Sequence, residues 1–82
     1  MFTVYVIRDA SGRRYVGQTE DLAHRLEQHN SGESFWTKRG FNWRVVYTEE
    51  YPTREQAMTR EQWLKTGVGR QFLDRTLGLL GS

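Results

Sequence analysis

Phe2-Thr3-Val4-Tyr5-Val6-Ile7-Arg8-Asp9-Ala10-Ser11-Gly12-Arg13-Arg14-Tyr15-Val16-Gly17 sets the frame for the chain. Residues 2–8 alternate, with Phe2, Val4 and Val6 on one side and Thr3, Tyr5 and Ile7 on the other, which is the period of a strand. Asp9 to Arg13 is polar and carries Gly12, and a second short strand is predicted around Arg14–Gly17. A three-residue loop, Ala10-Ser11-Gly12, puts Gly12 at the left-handed position that such hairpins need. In that register Asp9 faces Arg13 and Ile7 faces Tyr15, so Tyr5 and Tyr15 share a face as diagonal neighbours. A loop of two or four residues would send the tyrosines to opposite faces.

Working outward, a first helix is predicted to open after Thr19 as N-cap, with Glu20 and Asp21 in its first turn. It should close at Asn30-Ser31-Gly32. Residues 33–42 read as a polar, basic loop in which Phe35, Trp36 and Phe41 alternate with Lys38 and Arg39. A third strand is expected from about Trp43 to Glu50. Thr53-x-x-Gln56 has the form of a capping box opening a second helix that runs to about Thr66. Gly67 and Gly69 should break it before a last helix carrying Phe72, Leu73, Thr76, Leu77 and Leu80. The order β-β-α-β-α-α predicts a single α+β domain over residues 1–82, a small three-stranded antiparallel sheet flanked by helices.

The composition narrows the function. The 82 residues include no cysteine, which excludes disulfide scaffolds and cysteine-based zinc sites. A reducing, cytoplasmic compartment is the expectation. No apolar run approaches membrane-spanning length, and the first residues lack a leader pattern, so no membrane partner is expected. The oligomeric state is open between monomer and weak dimer. A net charge of +2 is too small for wholesale coating of nucleic acid, but suits a protein that meets a polyanion at one site. Three Trp, four Tyr and four Phe exceed what so small a core requires, so some should sit where they can stack on a ligand.

Helical phasing singles out three polar residues. On the first helix His29 falls within the stripe of Leu22 and Leu26, Arg25 at its edge, and His24 on the opposite side. His29 reads either as a satisfied, half-buried histidine or as part of a site, and Arg25 either as a snorkelling rim residue or as a ligand-binding cation. On the second helix Glu61 lies amid the apolar face of Ala57, Leu64 and Val68, while Trp63 points away. An unpaired buried carboxylate costs several kcal/mol, so Glu61 needs a cation: Arg25 in an ion pair, or a divalent metal.

These residues, taken together, resemble the GIY-YIG nuclease superfamily, and in particular its small stand-alone members. Thr3-Val4-Tyr5 stands where the family has GIY and Tyr15-Val16-Gly17 where it has YIG. Gly17-Gln18-Thr19-Glu20-Asp21-Leu22, Arg25-Leu26 and His29-Asn30 match its first helix in order and spacing. Arg60-Glu61-Gln62-Trp63-Leu64-Lys65-Thr66-Gly67 matches its carboxylate helix, and Gly69-Arg70-Gln71-Phe72-Leu73 the ending of the stand-alone subgroup. The resemblance implies hydrolysis of DNA phosphodiester bonds with Mg²⁺ or Mn²⁺. It implies Glu61 as the metal ligand and Arg25 as the phosphate-neutralising cation. Tyr5, with Tyr15 beside it, would be the general base or water-orienting hydroxyl, and His29 would assist by hydrogen bonding. Arg14, Trp36, Lys38, Arg39 and Lys65 are the expected nucleic-acid contacts. The family's late asparagine has no counterpart, since the asparagines are Asn30 and Asn42. Without an attached DNA-reading domain, low sequence specificity is expected.

Overall fold

Asp9 closes the first hairpin. Its Oδ1 accepts from Ser11 N (3.0 Å), Ser11 Oγ (2.8 Å) and Arg13 N (2.8 Å), and Gly12 takes φ of 93°. The loop has the predicted length, and β1 (Phe2–Arg8) pairs with β2 (Arg14–Thr19) with Ile7 opposite Tyr15 and Tyr5 opposite Gly17. The structure, a computed structural model, describes residues 1–32 and 42–79. Helix α1 (Leu22–Asn30), strand β3 (Arg44–Tyr51) and helices α2 (Arg54–Leu64) and α3 (Gly67–Leu79) complete the order β-β-α-β-α-α. The antiparallel sheet runs β2-β1-β3, so the apolar first strand is central.

Both faces of β1 are covered. Val4 and Val6 join Val16, Ala57, Leu64 and Leu73 under α2 and α3. Tyr5 and Ile7 join Trp43 on the other face, with Tyr15, Leu22 and Leu26 packed against them. A bulge in β3 lets Val6 face Tyr47 while Ile7 faces Val45. The extra residue breaks the alternation, so Val46 and Tyr47 both pack towards α2 and α3 while Val45 packs towards α1.

The boundaries depart from expectation for local reasons. Thr19 is committed to the ladder opposite Thr3, so Asp21 takes over as N-cap and accepts from His24 N at 3.1 Å. Glu20 and Asp21 therefore precede the helix. At its other end Ser31 N–H donates to the Glu27 carbonyl and Gly32 takes φ of 82°, as the Asn-Ser-Gly ending predicts. Asn30 also grips Trp43, donating to its carbonyl (3.0 Å) and accepting from its N–H (2.6 Å). Trp43 is core, with 5 % exposure, and is not available for base stacking.

Thr53 caps α2 and accepts from Gln56 N at 3.3 Å. That helix stops at Leu64 rather than Thr66, because the Thr66 hydroxyl accepts from Gly69 N at 3.1 Å and opens α3. Gly67 and Gly69 lie within α3 rather than in a break, and Val68 is exposed instead of sharing the α2 face. A side chain at Gly69 would strike the Trp63 carbonyl, which is why the turn is so tight. Folding back this way covers Trp63, whose ring meets Phe72 edge-on at 5.7 Å.

Glu49 ties β3 to α2. Its carboxylate receives Tyr47 Oη, Tyr51 Oη (2.6 Å) and a two-pronged Arg60 (2.9 and 3.1 Å), whose guanidinium lies 4.4 Å from the Trp63 ring centroid. Arg60→Ala would leave a carboxylate only 16 % exposed without its counterion. We expect a loss of about 2–3 kcal/mol, read as a lower urea midpoint. Arg60→Lys, which keeps the charge but not the fork, should recover only part of it.

Candidate active site

Tyr5 and His29 form the buried heart of the α1 face, each 1 % exposed, with Tyr5 Oη 2.8 Å from His29 Nε2. The direction of that hydrogen bond follows the imidazole tautomer. Tyr15 completes a three-ring cluster, its centroid 6.4 Å from Tyr5 and 5.0 Å from His29. The cluster exists because the hairpin register puts both tyrosines on one face and α1 lays His29 across them. Gly17 makes it possible: a β-carbon there would sit 2.6 Å from Tyr5 Oη and 3.0 Å from Tyr15 Cε2.

Charge surrounds these rings. Arg25, half-buried one turn before His29, acts on the hydroxyls of both Tyr5 and Tyr15, and is steadied by donating from Nη1 to Gln28 Oε1 at 3.0 Å. Gln28 was not singled out by the sequence, although its i+3 spacing from Arg25 is the signal. On α2, Glu61 is partly buried and close enough to Tyr5 for its negative charge to disfavour the phenolate. Its partner is not Arg25 but Lys65, one helical turn on, whose Nζ meets Oε2 at 2.8 Å and lies 5.8 Å from the Tyr15 ring centroid. The (i, i+4) spacing on one helix brings that ammonium onto the carboxylate. Oε1 of Glu61 makes no hydrogen bond among the described residues.

Burial decides the protonation states. It pushes the Tyr5 phenol up to about 12, against the opposing pull of Arg25. It pushes His29 down to about 4, with the Arg25 charge adding to the shift. At neutral pH both are therefore uncharged. An unfolded chain protonates His29 near pH 6.5, so between about 6.5 and 4 the unfolded state binds more protons and stability falls as pH falls; above 6.5 the contribution is complete. We expect a loss of about 2–3 kcal/mol between pH 7.5 and 4.5, measured as urea midpoints. In His29→Gln the decline over that window should flatten; equal declines in both proteins would assign it elsewhere.

The other expected contacts divide. Arg14, expected to contact nucleic acid, is paired across the hairpin edge with Asp74 of α3 at 2.8 Å. Lys65 is at the site, bound to Glu61. Trp36, Lys38 and Arg39 lie outside the described residues. His24 is exposed on the far side of α1, as the phasing predicts.

Comparison with known proteins settles the lineage of this arrangement. The GIY-YIG catalytic domain matches residues 1–71. The chain belongs to the GIY-YIG family. That family is one of endonucleases, so the domain is of nuclease type. A UPF0213 protein of Staphylococcus aureus strain Mu3 is 36 % identical over 64 residues, spanning 77 % of this chain and 78 % of the relative. The same figures hold for the UPF0213 protein of strain N315. The solution structure of the UPF0213 protein BH0048 from Bacillus halodurans superposes with a TM-score of 0.56 at 29 % identity, covering 93 % of this chain and 85 % of that one. The present chain is similar to these UPF0213 proteins over most of its length. Among the described residues no helix is long and apolar enough to cross a membrane.

Proposed function

We propose that this GIY-YIG protein is a metal-dependent endonuclease that hydrolyses DNA phosphodiester bonds with low sequence specificity. Structured or single-stranded DNA, as met in repair or recombination, falls within its range. The observation that carries the reading is the meeting of Tyr5 Oη, His29 Nε2, the Arg25 guanidinium and the Glu61 carboxylate around one ring cluster. The cysteine-free sequence supports a cytoplasmic setting.

The residues fit a divalent ion. One carboxylate oxygen without a hydrogen bond, on a side chain 20 % exposed, suits Mg²⁺ or Mn²⁺, which would keep several waters and share the substrate phosphate. Glu61 would hold it, and the ion would supply Lewis-acid stabilisation of the phosphoryl oxygens. Arg25 meets the negative charge that builds on those oxygens during in-line displacement. Tyr5 stays a phenol at neutral pH, so its part is to orient the attacking water. His29, uncharged and 2.8 Å away, aims that hydroxyl.

The test is cleavage of supercoiled and branched DNA with Mg²⁺ or Mn²⁺. Cleavage that disappears with chelator supports the reading. A second reading, a DNA-binding module without turnover, is favoured by the hold of Lys65 on Glu61. Salt-sensitive DNA binding with no cleavage in any metal would select it.

A further inference from the structure

Beside Tyr15 an open groove of about 380 Å³ runs between β2 and the junction of α2 with α3. Its floor is apolar, from Leu64 and Leu73, and three cations line it: Arg14, Lys65 and Arg70. No carboxylate lines it among the described residues. Two of the cations are held by acids outside the groove, Lys65 by Glu61 and Arg14 by Asp74, the latter acid 67 % exposed. Arg70, exposed on the first turns of α3, has no ion pair among the described residues.

We propose that this groove is the backbone track of the DNA, leading away from the site over Tyr15, with Arg70 as its anchoring phosphate contact and Asp74 as the acid that must release Arg14. The assignment rests on the endonuclease reading, and it adds a path and a residue to it. Charge and continuity carry it. Cations on both sides of an open channel that shares Tyr15 with the catalytic cluster, Arg14 from β2 and Lys65 and Arg70 from the α2–α3 side, match a chain of phosphates and not a compact anion. Exposed ion pairs at the rim contribute little to stability, so exchanging Asp74 for a phosphate costs little.

The experiment is fluorescence anisotropy of a labelled 20-base-pair duplex, in chelator to prevent cleavage, across a series of KCl concentrations. Arg70→Ala should lower the salt slope by about 0.9 and weaken binding about eightfold at 0.1 M salt, for every sequence alike. Arg75→Ala, on the opposite side of α3, removes the same net charge and should leave the slope unchanged. Asp74→Asn should tighten binding severalfold by freeing Arg14. Equal effects from Arg70→Ala and Arg75→Ala would overturn the groove as the track, and so would weaker binding by Asp74→Asn. Displacement of the duplex by tenfold less RNA of equal length would overturn DNA as the occupant. Failure of the wild type to bind DNA at any salt would strike the endonuclease reading itself, whereas wild-type binding and cleavage with an unchanged Arg70→Ala slope would strike the groove alone.

Discussion

Glu61→Gln is expected to lower metal-dependent cleavage by on the order of 10³-fold while leaving the fold close to wild type and the DNA affinity no weaker. The substitution keeps the shape of the side chain and removes only its charge. What the protein loses by it is a solvent-touched (i, i+4) pair with Lys65, worth about 0.3–0.5 kcal/mol. A Glu61 that served only the fold would therefore show itself by a small stability change and full activity. Glu61 as metal ligand gives the same small stability change, within about 0.5 kcal/mol, but a much weaker response to Mn²⁺ and loss of turnover. The Mn²⁺ titration of cleavage separates the two, and an unshifted urea midpoint shows that the fold is kept. Cleavage retained at ordinary Mn²⁺ concentrations would remove Glu61 from the ligand role.

The hairpin register is legible in the sequence because two signals agree. The alternation of residues 2–8 sets the faces, and Gly12 sets the loop length. Once those hold, the Tyr5–Tyr15 pairing follows from strand geometry alone. The apolar stripe of α1 likewise places His29 inside and His24 outside. The end of α2 is not legible, because Thr66 serves two helices. Its hydroxyl can cap α3 only if α2 has already stopped, and that depends on how closely Gly69 approaches Trp63.

Partners are harder to read than faces. That Glu61 needs a cation follows from its position, but the choice of Lys65 over Arg25 depends on how far α2 stands from α1. The same holds for Arg14 and Asp74, which are sixty residues apart and meet only because α3 folds against the hairpin. The Glu49 network is invisible to periodicity. Tyr47, Glu49 and Tyr51 alternate as any strand face would, and Arg60 joins them from another element. In the Tyr5–Tyr15–His29 cluster the residue types are legible and the protonation states are not. Neutral His29 and a phenol raised to about 12 come from burial, which no spacing reports.

Gly17→Ala should damage the fold and the Tyr5 cluster together. The added carbon would stand 2.6 Å from Tyr5 Oη and 2.7 Å from Tyr5 Cζ, well inside contact distance. Tyr5 cannot yield cheaply, because its ring is 1 % exposed and boxed by Tyr15 and His29. Either the β1–β2 pairing spreads at Tyr5 opposite Gly17, or the phenol swings away and abandons His29. Overpacking costs about 1–3 kcal/mol, and a buried imidazole deprived of the phenol costs about 1–3 more. We expect a total loss of about 2–6 kcal/mol together with cleavage reduced at least a hundredfold. Gly12→Ala separates this from generic glycine effects. There the added carbon meets nothing within 4 Å and only the φ of 93° is strained, so about 1 kcal/mol should go with activity intact. Urea midpoints and cleavage rates of the two variants make the comparison. If Gly17→Ala kept both stability and rate, Tyr5 Oη could move freely, and its placement beside His29 would not be what the site depends on.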